Sequence, residues 1–216
     1  TKSGISQTKE EKPNVILVYV DDLNKDELSC YGGHIKTPNI DKLAKEGIQF
    51  THYYASSPVC TPSRYSLLTG EYASRSKALQ HKHPLNNHAF IRWNTDIIDG
   101  DYTIASVLKQ HGYRTGMVGK WHNWLDGYPD LMHVPFRANP NQPLVNQRIH
   151  ENYQKVVAHV KNTGGFDFAD AIYASNLLWL PSTERLMHHN QHWITYHALR
   201  FIENNKTQPF FLYLST

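Results

Sequence analysis

Three short stretches carry side chains whose types and spacing could do chemistry. Asp21-Asp22 ends an apolar run, Cys60 stands just ahead of Arg64 in "CTPSRYSLLTG", and Lys120 and His122 flank Trp121 in "GKWH". Adjacent carboxylates repel and raise each other's pKa. A divalent cation relieves that repulsion, and oxygen ligands suit Ca²⁺ or Mg²⁺; a solvated turn or a helix cap would use the same pair. Cys60 precedes an expected helix start, where backbone N–H groups favour anions, and Arg64 adds a planar fork suited to a tetrahedral oxyanion. A free thiol in that place is also a common packing residue. A thiolate nucleophile usually comes with a histidine base, and local spacing assigns none. Lys120 and His122 in isolation read as a surface lysine and a strand-end packing histidine.

The elements that must position these groups follow from periodicity and punctuation. Val15 to Val20 is a continuous apolar, β-branched run, which predicts a strand buried on both faces, as in parallel sheets. "TPNIDKLAKEG" predicts a helix with Ile40, Leu43 and Ala44 on one face and Gly47 as its stop. "IQFTHYYASS" reads as a second strand leading into the Cys60 loop, and Pro62 suits the first turn of a helix that Gly70 closes. Residues 71–100 read as a long surface loop. "YTIASVLKQHGY" is amphipathic, with Ile104, Val107, Leu108 and His111 on one face, and "RTGMVGKWH" is a strand. Residues 125–147 form another excursion. Helices follow around "QRIHENYQKVVAHVKNTGG" and from Thr183 to Asn205, and "PFFLYLS" closes as a strand. Strands alternating with helices predict an α/β fold, a three-layer α/β/α sandwich on a mostly parallel sheet. Functional groups in such sheets gather beyond the carboxyl ends of the strands, where Asp21, Asp22, Lys120 and His122 fall.

The totals exclude several classes. The chain has 216 residues, 40% hydrophobic, enough for one domain with a full core. No apolar run reaches the roughly eighteen residues that suggest a membrane span. Net charge is +3 without a Lys/Arg run, which favours a small anionic ligand over nucleic acid. Two cysteines do not make a disulfide framework. His188 and His192 have the spacing of a zinc pair, although a substrate-facing or structural helix accounts for them as well. Asn205-Lys206-Thr207 fits a glycosylation sequon, a tripeptide common by chance.

"CTPSRYSLLTG" closely resembles the C-x-P-S-R signature of type I sulfatases, members of the alkaline phosphatase-like superfamily. "PNVILVYVDDL", "TPNIDKLAKEGIQFTHYY", "GYRTGMVGKWH" and "PFFLYLS" resemble the flanking blocks in the same order. The resemblance implies that Cys60 is a precursor, oxidised by a separate maturation enzyme to formylglycine. One hydroxyl of the hydrated aldehyde would attack sulfur and expel the alcohol; the other would then lose its proton as the carbonyl reforms and ejects sulfate. This is covalent catalysis with a self-regenerating nucleophile.

The same resemblance implies that Asp21, Asp22 and residue Cys60 contact a metal, Ca²⁺ with Mg²⁺ as the alternative. Arg64 would stabilise the formylglycine hydrate, Lys120 the transferring sulfuryl group, and His122 would hydrogen-bond and deprotonate the diol. Family members often continue "GKWH" with Leu-Gly, whereas this chain has Asn123-Trp124, a pair expected beside the leaving group. The resemblance further implies that residues 1–216 are the N-terminal part of a catalytic domain, inactive without its C-terminal part, in a periplasmic, lysosomal or secreted setting. The expected substrate is a glycan or small-molecule sulfate ester. The competing expectations are a phosphonate or phosphodiester hydrolase of the same superfamily, and a non-catalytic sulfated-glycan binding protein that keeps Cys60 as a thiol.

Overall fold

A computed structural model describes residues 12–83, 91, 95–123, 131–132, 134–135, 138–173 and 190–216. Four strands, β1 (Val15–Tyr19), β2 (Arg114–Lys120), β3 (Phe168–Tyr173) and β4 (Phe210–Ser215), form one sheet in the order β1-β4-β2-β3. Every pairing is parallel. The strand last in sequence therefore lies between the first and second, and the register sets Ser215 beside both Tyr19 and Gly119. The carboxyl ends of these three strands are level.

Side chains alternate across the strands into two cores. Met117, Phe211 and Tyr213 pack on one face with Tyr65, Leu68, Ala105, Val156 and Val160. These come from α2 (Cys60–Thr69), α4 (Ile104–Gln110) and α5 (Pro143–Gly164). Val118, Phe210 and Leu212 pack on the other face against Ile194, Ala198 and Phe201 of α6 (Gln191–Asn205). Helices on both faces of a parallel sheet make the three-layer α/β/α sandwich expected from the alternation.

Several local expectations change. β1 is not buried on both faces: Val15, Leu17 and Tyr19 pack inward, while Ile16 and Val18 are 48% and 55% exposed. Among the described residues the strand is at the sheet's edge, and α6 packs on β2, β3 and β4. Residues 48–57 form no strand, and Ile48 is 80% exposed. A strand needs a ladder partner for its backbone groups; here the carbonyls of Phe50 and Thr51 accept from Tyr31 Oη and Lys25 Nζ instead. Helix α1 (Pro38–Glu46) ends at Gly47 as expected, yet Leu43 on its apolar face is 70% exposed.

Within 71–100, the described residues are not a surface loop. They include α3 (Lys77–Lys82), and Ala73, Ala78, Leu79 and Ile97 are buried. In α4 the buried residue is Ala105, with Leu108 packed beside it, and Ile104 and Val107 are exposed. Strand β3 follows the Gly165 cap of α5 almost at once; Asp167 and Asp170 interrupt its apolar pattern and hide it in the sequence. His188 and residues 183–189 lie outside the described residues, and His192 is exposed in the first turn of α6. Asn205 of the sequon is only 8% exposed and its Nδ2 donates to the Phe201 carbonyl at 2.7 Å, so it is not presented for glycosylation.

Candidate active site

The level strand ends bring remote segments together. Asp21 follows β1, and its N–H donates to the Thr216 carbonyl at 3.0 Å, extending the ladder past β4. Lys120 ends β2, with β4 lying between the two. Its long stem crosses the end of β4, and Nζ meets Asp21 Oδ2 at 2.5 Å. Close approach is built into the turn of the strand: Gly119 has φ +101°, and a Cβ there would lie 1.7 Å from the Ser215 carbonyl oxygen. A side chain at 119 would push β2 from β4 and withdraw Lys120.

Helix α2 begins at Cys60, half-buried, and Arg64 follows one turn later, fully buried. The guanidinium lies over the Tyr19 ring with Cζ 5.0 Å from its centroid. Nη2 donates to Asp21 Oδ1 at 3.1 Å. Nη1 donates to the Lys120 carbonyl at 3.2 Å, to Tyr213 Oη at 3.1 Å and to Ser215 Oγ. Arg64 thus fastens α2 to three strands. Its buried Nε has no hydrogen-bond partner among the described residues. No motif singles out Tyr213 and Ser215; the one available signal is their alternate spacing on β4, which puts both on the face that Arg64 crosses. Tyr19 Oη and Ser63 Oγ, 2.7 Å apart, add a further tie.

His122 lies just past β2, buried, with Nδ1 3.1 Å from Cys60 Sγ. The pairing spans 62 positions of sequence, which is why spacing could not assign a histidine to the cysteine. Asp22 is exposed in a left-handed conformation, φ 53°. The structure therefore brings together Asp21, Arg64 and Lys120 as one cluster, and Cys60 and His122 as a contact joined to it through α2 and β2. Asn123 is fully buried beneath them, and Trp124 lies outside the described residues.

The electrostatics favour an anion. Burial alone would raise the Asp21 pKa, but the hydrogen bond and charge of Lys120, then those of Arg64, outweigh it and hold the carboxyl below its ordinary value. Two cations around one carboxylate leave the cluster with a net positive charge. Burial first, then the charges of Lys120 and Arg64, push His122 down to about 4.

His122 is therefore neutral near pH 7, and its titration predicts a stability effect. Between about 6.5 and 4 the unfolded chain binds a proton that the folded chain refuses. Stability should fall as pH drops through that window, by roughly 3 kcal/mol at most. Urea midpoints at the two ends of the window check this, and His122→Gln should shrink the difference.

Among the described residues, no group of three His, Cys, Asp or Glu is gathered to hold a metal ion. The donor chemistry nonetheless fits a hard cation in part. Both Asp21 oxygens are engaged by Lys120 and Arg64, contacts a cation would have to share or displace, while Asp22 adds a second carboxylate at the same strand end. A cysteine sulfur is a soft ligand unsuited to Ca²⁺ or Mg²⁺, whereas an oxygen at residue 60 would suit either.

The sulfatase family model matches residues 13–216. Human arylsulfatase D is 43% identical over 115 residues, 51% of this chain and 19% of that protein. The N-acetylgalactosamine-6-O-sulfatase of Bacteroides thetaiotaomicron is 44% identical over 115 residues, 52% of this chain and 21% of that protein. These matches thus cover about a fifth of the length of each curated relative. A solved chain described under the metabolism of multiple glycosaminoglycans by the same bacterium superposes with a TM-score of 0.62 at 26% identity, over 95% of this chain and 51% of that one. The family match runs through the strand ends carrying Asp21, Lys120 and Ser215 and the helix carrying Cys60 and Arg64, and the chain belongs to the sulfatase family, with its alkaline phosphatase-like fold.

Proposed function

We propose that the protein carrying this chain hydrolyses sulfate esters, with residue 60 as the nucleophile position after Cys60 is matured to formylglycine. The observation that carries this reading is the placement of Cys60 at the first turn of α2. There it touches neutral His122 beside a cluster of net positive charge. A formylglycine would supply a hydrated aldehyde able to attack sulfur and later release sulfate without a water attack on a crowded anion. His122 holds a hydroxyl at residue 60 by hydrogen bond and takes its proton, which suits an imidazole kept neutral. Lys120 offsets negative charge on the sulfuryl group. Arg64 fixes Asp21 and the α2 turn, and keeps Nε as a donor not otherwise engaged.

Asp21 and Asp22, with an oxygen at residue 60, would hold a divalent cation, Ca²⁺ before Mg²⁺, which would supply Lewis-acid polarisation of a sulfate oxygen. The substrate class is a glycan or small-molecule sulfate ester, in line with a relative named for an N-acetylgalactosamine sulfate. A maturation enzyme acting on Cys60 and a periplasmic, lysosomal or secreted setting complete the reading. No helix of the described residues is long and apolar enough to cross a membrane.

Parallel turnover of an aryl sulfate and a phosphodiester, with mass spectrometry of the Cys60 peptide, tests the assignment. An aldehyde at residue 60 and faster sulfate turnover are expected. Preference for the phosphodiester would move the assignment to the phosphorus branch. An intact thiol with glycan binding and no turnover would overturn catalysis altogether.

A further inference from the structure

Asn123 is fully buried one residue past His122. Its Nδ2 donates to the Thr61 carbonyl at 2.9 Å and to the Thr95 carbonyl at 3.1 Å. Its own carbonyl accepts from the Ile97 N–H at 3.1 Å. Two carbonyl acceptors fix the orientation of the amide, because the flipped form would set oxygen against oxygen. One side chain therefore joins the first turn of α2, the segment at 95–97 and the end of β2.

The neighbours make this junction consequential. His122 has φ 53°, a left-handed conformation that costs a residue with a Cβ about 1–2 kcal/mol. Flanking anchors must impose it. On one side Trp121 is fully buried and its N–H donates to the Tyr173 carbonyl at 3.0 Å; on the other stands Asn123. The contact of His122 with Cys60 and the bond of Asn123 to Thr61 are consecutive rungs between the same two segments. The amide is a poor choice for packing alone. Asn123 Oδ1, Thr61 Oγ1 and Thr95 Oγ1 are all buried without a hydrogen-bond partner among the described residues, a cost that the two Nδ2 bonds must offset.

Resting on the sulfatase reading, we propose that Asn123 is a positioning residue. Its amide locks the turn carrying residue 60 against the strained backbone of His122, so that the nucleophile position and the imidazole meet in one geometry. It touches neither substrate nor the reacting atoms.

Asn123→Ala and Asn123→Asp both remove the amide donor, the first by truncation and the second with a carboxylate of the same shape. In the full protein, with rates normalised to the fraction of residue 60 converted to formylglycine, each should lower kcat for an aryl sulfate by roughly 10–100-fold, the loss expected from misplacement of about 1 Å, with KM little changed. Hydrogen exchange should quicken in the peptide covering residues 60–64 while α6 and β4 keep their protection. Unchanged kcat in either folded variant overturns the proposal, as does faster exchange spread evenly over all elements. If the unsubstituted protein hydrolyses no sulfate ester, the sulfatase reading fails, and the exchange arm still decides the positioning: undisturbed 60–64 amides in both variants overturn it.

Discussion

Cys60→Ala is expected to abolish sulfate ester hydrolysis while leaving the fold in place. The side chain is half-buried, and its hydrogen-bond contact is with His122 Nδ1. Helix α2 does not depend on it, because Thr61, Pro62, Ser63, Arg64, Tyr65 and Leu68 are the buried residues that seat the helix. Alanine is the best helix former, so the first turn should persist. Activity has no comparable reserve. Without a heteroatom at residue 60 no covalent sulfate ester can form, and the loss in kcat should be on the order of 10⁴-fold or more, as when a nucleophile is removed from a preassembled site. Aryl sulfate turnover and thermal unfolding of the verified variant check both halves. Substantial retained turnover would remove Cys60 from the mechanism, and a collapsed fold would show that the thiol has a structural task instead.

Arg64→Met should have the largest effect on stability. The guanidinium has no solvent exposure and bridges Asp21, the Lys120 carbonyl, Tyr213 and Ser215. Methionine matches the stem but leaves those acceptors without their donor and Asp21 with Lys120 as its remaining cation. Breaking a buried pair from one side costs about 3–5 kcal/mol, because the partner charge stays behind. That is a large share of the stability of an ordinary domain. Arg64→Lys should also fail, since one ammonium cannot span acceptors on three strands. The sign at Asp21 is specific. With Arg64 present its depressed pKa contributes stability above the ordinary value of 3.8, lost as pH falls through the lower folded value. Arg64→Met should therefore reduce the acid sensitivity attributable to Asp21. A urea midpoint shift equivalent to less than about 1 kcal/mol would place Arg64 among weakly contributing surface pairs and refute this account.

Much of the fold was legible where its signals are local. Proline and glycine punctuate α1, with Pro38 in its first turn and Gly47 after its last; Gly70 closes α2 in the left-handed conformation. The strand-and-helix alternation specified the layered α/β class, and the strand-end rule placed Asp21 and Lys120 on one rim. The ordered blocks around Cys60 pointed to the sulfatase family. These features depend on neighbours a few residues apart, within reach of periodicity, caps and motifs.

Tertiary structure decided what depends on distance across the chain. The insertion of β4 between β1 and β2 makes Lys120 reach over Ser215 to Asp21 and recruits Tyr213 and Ser215 to Arg64. Among the described residues β1 lies at the sheet's edge with Ile16 and Val18 exposed, although their run is as apolar as a central strand. The buried amide of Asn123 ties the nucleophile turn to the segment at 95–97, and burial, then the charges of Lys120 and Arg64, lowers the pKa of His122. Strand order, register and burial arise from packing between segments far apart in sequence, and desolvation and charge act only at the separations that packing creates.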